Sequence, residues 1–237
     1  MSDPARLYIA LTSDCGETAT AMMRPLEGLR VGVKIGLELF TRSGPAIVRQ
    51  LREMGFDIFL DLKFSDIPST VAGAVTSACL LKPAMLNVHA MGGLEMMRAA
   101  ADAARGSGTR VIAVTVLTSL GAQDLGRMGI SSGPGELAAL LASSAAESGL
   151  DGVVCSPLEA SGIRQAHGRD FLIVTPGIRP RGADTQDQKR TSTAYDAILS
   201  GATSLVVGRP VTGASDPRDA AVLLLEEIDS ALEARGV

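Results

Sequence analysis

The chain has no tryptophan, 3% aromatic residues, two histidines and three cysteines among its 237 residues. So few aromatic side chains leave Ala, Val, Leu and Ile to build the interior, and a hydrophobic content of 46% excludes intrinsic disorder. Cys15, Cys79 and Cys155 are odd in number and lack CxxC spacing, and the histidines are His89 and His167, so a disulfide framework and a Cys/His zinc site both fail on count. Basic excess is missing too. A net charge of −4 and a pI near 5.3 supply no field for DNA or RNA, so no nucleic-acid partner is expected. The start, Met1-Ser2-Asp3-Pro4-Ala5-Arg6, is not a basic region leading into a long apolar stretch, and no run approaches ~18 uninterrupted apolar residues. A soluble cytoplasmic protein without a membrane partner is the expectation.

What the chain does have is a repeated pattern. Short Val/Ile/Leu-rich runs recur at Leu7–Leu11, Val31–Ile35, Ile58–Leu62, Met85–Val88, Val111–Leu117, Gly152–Cys155, Leu172–Val174 and Leu205–Val207. Each is too short for a buried helix, and near-continuous apolarity suits parallel strands covered on both faces. Between them lie segments of helical period, clearest at Pro45–Met54, Ile67–Leu81, Leu94–Ala104, Glu136–Glu147 and Ala220–Ala234, often closed by glycine as at Gly55, Gly106, Gly149 and Gly236. Asp216-Pro217 provides an N-cap and first-turn proline for the last helix. Strand and helix alternate eight times at about 30 residues per unit, which predicts a (β/α)8 TIM barrel. No linker or low-complexity tract divides residues 1–237, so a single domain is expected.

Fold alone does not specify a reaction, so candidate chemistry is sought at the strand ends. In Asp57-Ile58-Phe59-Leu60-Asp61-Leu62-Lys63, period two turns Ile58, Leu60 and Leu62 toward the helices and leaves Asp61 and Lys63 facing into the barrel at its C-terminal mouth. In Val31-Gly32-Val33-Lys34-Ile35-Gly36 the same alternation points Lys34 inward between two glycines. Two lysines and two aspartates in alternation would form a charge-compensated array that keeps Lys63 an ammonium in a dry pocket. Toward the other side, Thr175-Pro176-Gly177-Ile178-Arg179 opens a long polar loop, and Gly208-Arg209 follows the eighth strand, at the usual phosphate location of such barrels. Gly208 would let backbone approach a phosphate that Arg209 grips with paired hydrogen bonds. His89 admits two readings, support for the array or a hydrogen-bonded structural histidine; His167 is expected to be exposed.

The run Ile58-Phe59-Leu60-Asp61-Leu62-Lys63-Phe64-Ser65-Asp66-Ile67-Pro68-Ser69-Thr70-Val71 resembles the D-x-K-x-x-D-I-x-x-T signature of the orotidine 5'-phosphate decarboxylase family. The likeness extends through Lys34-Ile35-Gly36, Asn87-Val88-His89-Ala90, Val114-Thr115-Val116-Leu117-Thr118-Ser119, Thr175-Pro176-Gly177-Ile178-Arg179 and Val207-Gly208-Arg209-Pro210. It implies decarboxylation of orotidine 5'-phosphate to UMP without metal or cofactor, on a homodimer. Lys34, Asp61 and Lys63 would form the catalytic array, with Asp66 supplied by the neighbouring subunit. Thr12, Thr70, Thr118, Gly208, Arg179, Gln188 and Arg209 would bind the nucleotide, the last three at its phosphate. Thr115 and Ser119 compete with Thr118 for the hydroxyl contact.

One position departs from the pattern. Thr12 ends the first strand where the family typically carries a ribose-binding aspartate, with Asp14 two residues on as a substitute. Two rivals follow. A metal-dependent sugar-phosphate decarboxylase or aldolase of the same superfamily would need an acidic metal ligand near Lys34, where a lysine repels a cation. A non-catalytic nucleotide-binding barrel would keep the phosphate grip and lose turnover.

Overall fold

A computed structural model describes residues 6–13, 15–179 and 192–236. Its strands are β1 (Leu7–Leu11), β2 (Val31–Gly36), β3 (Asp57–Phe64), β4 (Met85–His89), β5 (Arg110–Val114), β6 (Gly152–Val154), β7 (Leu172–Thr175) and β8 (Ser204–Val207). They pair in parallel in chain order, and β8 returns to β1 to close the barrel. The predicted (β/α)8 architecture is the observed one.

The alternation of side chains sorts the core into two layers. Leu7, Ile9, Val33, Ile35, Ile58, Leu60, Leu86 and Val88 face outward and are buried under the helices. Inside the barrel, Tyr8, Phe59, Met85, Ile112, Val174 and Val206 form a separate apolar plug. The Tyr8 and Phe59 rings meet edge to face at 5.8 Å, so two of the scarce aromatic side chains fill the barrel interior. Gly32 makes room for them. A Cβ there would stand 2.5 Å from the Tyr8 ring and 2.9 Å from the Asp57 carbonyl oxygen, an overlap neither group can relieve cheaply.

Helix signals were legible at several ends. Asp216 accepts from the Asp219 N–H at 3.0 Å and starts the helix Pro217–Arg235, which Gly236 ends in left-handed conformation at φ 69°. Leu94–Ala104 matches its expected span, Pro134–Glu147 contains the whole of its own, and Pro68–Cys79 covers most of Ile67–Leu81. Two differences have local causes. The helix expected from Pro45 continues an earlier turn, giving Leu37–Glu53 with a break at Gly44, whose φ of 58° and ψ of −156° reset the chain before the proline. The fifth strand stops at Val114 rather than Leu117; the Thr115 N–H and hydroxyl both donate to the Val154 carbonyl, a last tie to β6, and the apolar run beyond it belongs to the loop. His167 is half-buried instead of exposed, with its ring 4.9 Å from that of Phe171.

Candidate active site

Register brings the charged residues together at the C-terminal mouth. Ala10 pairs with Lys34 and Gly36 with Asp61, so the inward positions of β1, β2 and β3 climb the barrel side by side above the apolar plug. Lys34 Nζ lies 2.8 Å from Asp61 Oδ2, and Lys63 Nζ lies 2.6 Å from Asp61 Oδ1. Asn87, reaching inward from β4, donates Nδ2 to the same Oδ1 at 2.7 Å. Its own Oδ1 accepts the Lys63 backbone N–H at 2.8 Å. That bond falls where the β3–β4 register shifts between Leu60 and Phe64, so a side chain replaces a ladder bond. Lys63 has φ 49°, a left-handed backbone uncommon for a residue with a long side chain.

Asp61 is 8% exposed. Burial alone would raise its pKa, but the ammonium of Lys34, then that of Lys63, and the hydrogen bonds from both outweigh burial and hold the carboxyl at about 2. It is therefore ionised across the physiological range. Burial and then the Lys63 charge push His89 below its ordinary value, and its Nδ1 accepts the Met91 N–H at 3.4 Å. This favours the structural reading of His89 as a neutral imidazole.

The array forms one wall of a cavity of about 320 Å³ at the barrel mouth. Thr12, Thr118, Arg179, Gly208 and Arg209 line it, so five of the seven expected nucleotide-binding residues share one cavity with the lysines. Between the two charged ends, Phe59, Val114, Val116, Val154 and Cys155 supply apolar surface suited to a flat ring. Of the three hydroxyl candidates, Thr118 lines the cavity while Thr115 is wholly buried with its hydroxyl on a backbone carbonyl. Thr118 belongs to the loop after β5, not to the strand itself. The Arg179 N–H donates to the Ser192 carbonyl at 2.9 Å, and its Nη1 donates to the Ile178 carbonyl at 2.8 Å.

Other expected residues lie elsewhere. Asp66 is exposed outside the cavity and accepts the Ile67 N–H at 2.6 Å, so within one chain it does not join the alternating array. It sits in the turn before the helix, beyond the strand's two-residue alternation. Thr70 is exposed in the first turn of Pro68–Cys79 and does not line the cavity. Gln188 and Asp14 lie outside the described residues. Asn87 is the functional candidate that motif reading passed over. A buried amide at an inward position between Met85 and His89 was the available signal.

Four cationic side chains against one carboxylate give the cavity positive character. A model of the Orotidine 5'-phosphate decarboxylase / HUMPS family matches residues 5–223. The chain belongs to this family. It is 48% identical over 232 residues to the orotidine 5'-phosphate decarboxylase of Nitrosomonas europaea, covering 98% of this chain and 100% of that protein. The orotidine 5'-phosphate decarboxylase of Chromohalobacter salexigens is 49% identical over 224 residues, with 94% and 95% covered. The crystal structure of orotidine 5'-phosphate decarboxylase from Lactobacillus acidophilus superposes with a TM-score of 0.84 at 36% identity, covering 95% of this chain and 99% of that one. Family membership and barrel thus agree, and among the described residues no helix is long and apolar enough to cross a membrane.

Proposed function

We propose that this member of the orotidine 5'-phosphate decarboxylase family converts orotidine 5'-phosphate to UMP and CO2. The observation that carries the reading is the Lys34–Asp61–Lys63 array opening into a cavity whose far side holds Arg179 and Arg209. A phosphate dianion and a ring carboxylate total about −3, a match for four cations offset by Asp61. The apolar surface between them takes the pyrimidine.

In this reading the carbon–carbon bond to the carboxylate breaks, its electron pair stays on the ring carbon, and CO2 departs. The Lys63 ammonium, already fixed by Asp61, stabilises that pair and then donates its proton to the carbon, regaining one from solvent. Asp61 crowds the substrate carboxylate, and its repulsion is relieved as CO2 leaves. Lys34 balances the second oxygen of Asp61 and reaches toward the ribose. Thr12 offers the ribose a hydroxyl without a charge. Thr118 contacts the nucleotide, and Gly208, Gln188, Arg179 and Arg209 hold its phosphate.

The reading includes one undivided barrel domain working in the cytoplasm as a homodimer, with Asp66 and Thr70 of each chain completing the other's site. Support for the dimer comes from the mouth itself. Asp66 is exposed there, and Ile67, Met91 and Leu117, just beyond β3, β4 and β5, are 64%, 53% and 36% exposed. Apolar surface at the rim of a polar cavity suits a partner subunit.

A metal-dependent relative would need a cation near Lys34. Here the Lys34 ammonium holds Asp61 Oδ2, and Asp61 Oδ1 serves Lys63 and Asn87, so this donor set does not suit a divalent cation. The test is loss of orotidine 5'-phosphate absorbance after exhaustive EDTA treatment. Full turnover is expected. Activity that vanished and returned only with Mg²⁺ would transfer the chain to the metal-dependent reading.

A further inference from the structure

The N-terminal end of the barrel carries a second cavity, about 390 Å³ in volume, and five arginines converge on it. Arg6 precedes β1, Arg110 opens β5, Arg164 lies on the helix Ala160–His167, Arg169 stands in the turn before β7, and Arg235 ends the helix Pro217–Arg235. The apolar plug inside the barrel separates this cavity from the mouth.

Opposite charge is scarce here. Asp170 is the acidic side chain lining the cavity, and Arg110 is paired with Asp151 at 2.9 Å. Arg164 donates Nε and Nη2 to the Gly201 carbonyl at 3.1 and 2.9 Å and Nη1 to the Gly168 carbonyl, and Arg235 donates Nη1 to the Ile198 carbonyl at 2.8 Å. Those neutral acceptors orient the two guanidinium groups without cancelling their charge. Among the described residues, Arg6, Arg164, Arg169 and Arg235 form no salt bridge. Burial and then Arg235 push Arg164 below its ordinary value, and burial, then Arg169 and Arg6, do the same to Arg235. In a chain of net charge −4, like charges are thus gathered at a free-energy cost that an anionic ligand would relieve.

We propose that this cavity binds a small anion carrying two or more linked phosphate groups, pyrophosphate or the polyphosphate end of a nucleotide. The guanidinium fork matches phosphate oxygens two at a time, and with Arg110 on Asp151 and Arg164 on backbone carbonyls, the forks of Arg6, Arg169 and Arg235 facing one hollow still need more oxygens than a single phosphate presents. The volume falls in the ordinary range for small ligands, roughly 300–1,000 Å³. Because the plug separates the ends, such a ligand binds without entering the upper cavity, and the inference stands independently of the reaction assigned there.

The probe is pyrophosphate, titrated calorimetrically at 0.15 M salt into a protein carrying Arg179→Ala and Arg209→Ala, which removes the upper phosphate grip. A single pyrophosphate per chain is expected. Adding Arg6→Gln and Arg169→Gln, whose side chains make no salt bridge among the described residues, should weaken it about tenfold or more. The same two glutamines in the otherwise intact chain should leave thermal unfolding and orotidine 5'-phosphate turnover unchanged, which separates lost binding from lost folding. Absence of pyrophosphate binding to the first protein, or equal affinity with and without the glutamines, would overturn the proposal.

Discussion

Asn87 Nδ2 donates to Asp61 Oδ1 at 2.7 Å across 26 residues of sequence. Because the same amide accepts the Lys63 N–H, one uncharged side chain orients both the carboxylate and the backbone of Lys63, the proposed proton donor. Asn87→Ala should lower kcat by about 10- to 100-fold with little change in KM, since an interaction that aligns the reacting groups matters most in the transition state. Asn87→Asp, which keeps the shape and adds a second acid, should also give a pH profile shifted from that of the parent. Steady-state kinetics across pH checks this, with thermal unfolding run alongside. A loss of kcat no larger than the loss of folded protein, with an unchanged pH profile, would reduce Asn87 to a packing residue.

The depressed pKa of Asp61 has a consequence for acid stability. A carboxyl held at about 2 in the folded chain, against 3.8 ordinarily, contributes stability that is present above pH 4 and lost as pH falls toward 2. The difference corresponds to about 2 kcal/mol. Urea unfolding of the parent and of Asp61→Asn should give free energies that converge by roughly that amount between pH 5 and 2.5, because the amide cannot titrate. Parallel curves would mean that Asp61 gains nothing from its lysines on folding.

Asp66 is exposed outside its own cavity, and this placement motivates the shared-site proposal. Lys63→Ala and Asp66→Ala homodimers should each be nearly inactive. Unfolded and refolded together in equal amounts, about half the dimers are mixed, and each mixed dimer holds one doubly damaged and one intact site, so about a quarter of all sites recover. Recovered turnover, with subunit exchange confirmed independently, is the expected result. Exchange without recovery would put Asp66 in the same site as its own Lys63.

Much of this arrangement was legible because it rests on period two. The inward placement of Lys34 and Asp61 follows from apolar neighbours that must face the helices, and β2 and β3 obey that rule. The rule weakens where strands end. Lys63 keeps its expected partner only through a register shift and a left-handed φ, neither of which hydrophobic pattern encodes. Val116 and Leu117 continue an apolar run past the end of β5, since apolarity there serves the cavity wall as well as the sheet. Asn87 looked like an ordinary strand residue until the shift in the adjoining strand gave its amide two partners. The basic cavity at the opposite end was invisible for another reason: its arginines are dispersed from Arg6 to Arg235, and only closure of the barrel gathers them.

In the proposed reaction Lys63, fixed by Asp61, stabilises the carbanion left by CO2 and protonates it. The direct measurement is turnover of orotidine 5'-phosphate by the parent chain and by Lys63→Ala under identical conditions, with UMP and CO2 both quantified. The parent should release the two products in equal amounts, and Lys63→Ala should be slower by about a thousandfold or more, since it loses both electrostatic stabilisation and the proton donor. A Lys63→Ala rate within tenfold of the parent, or a parent that binds the nucleotide without converting it, would contradict the account.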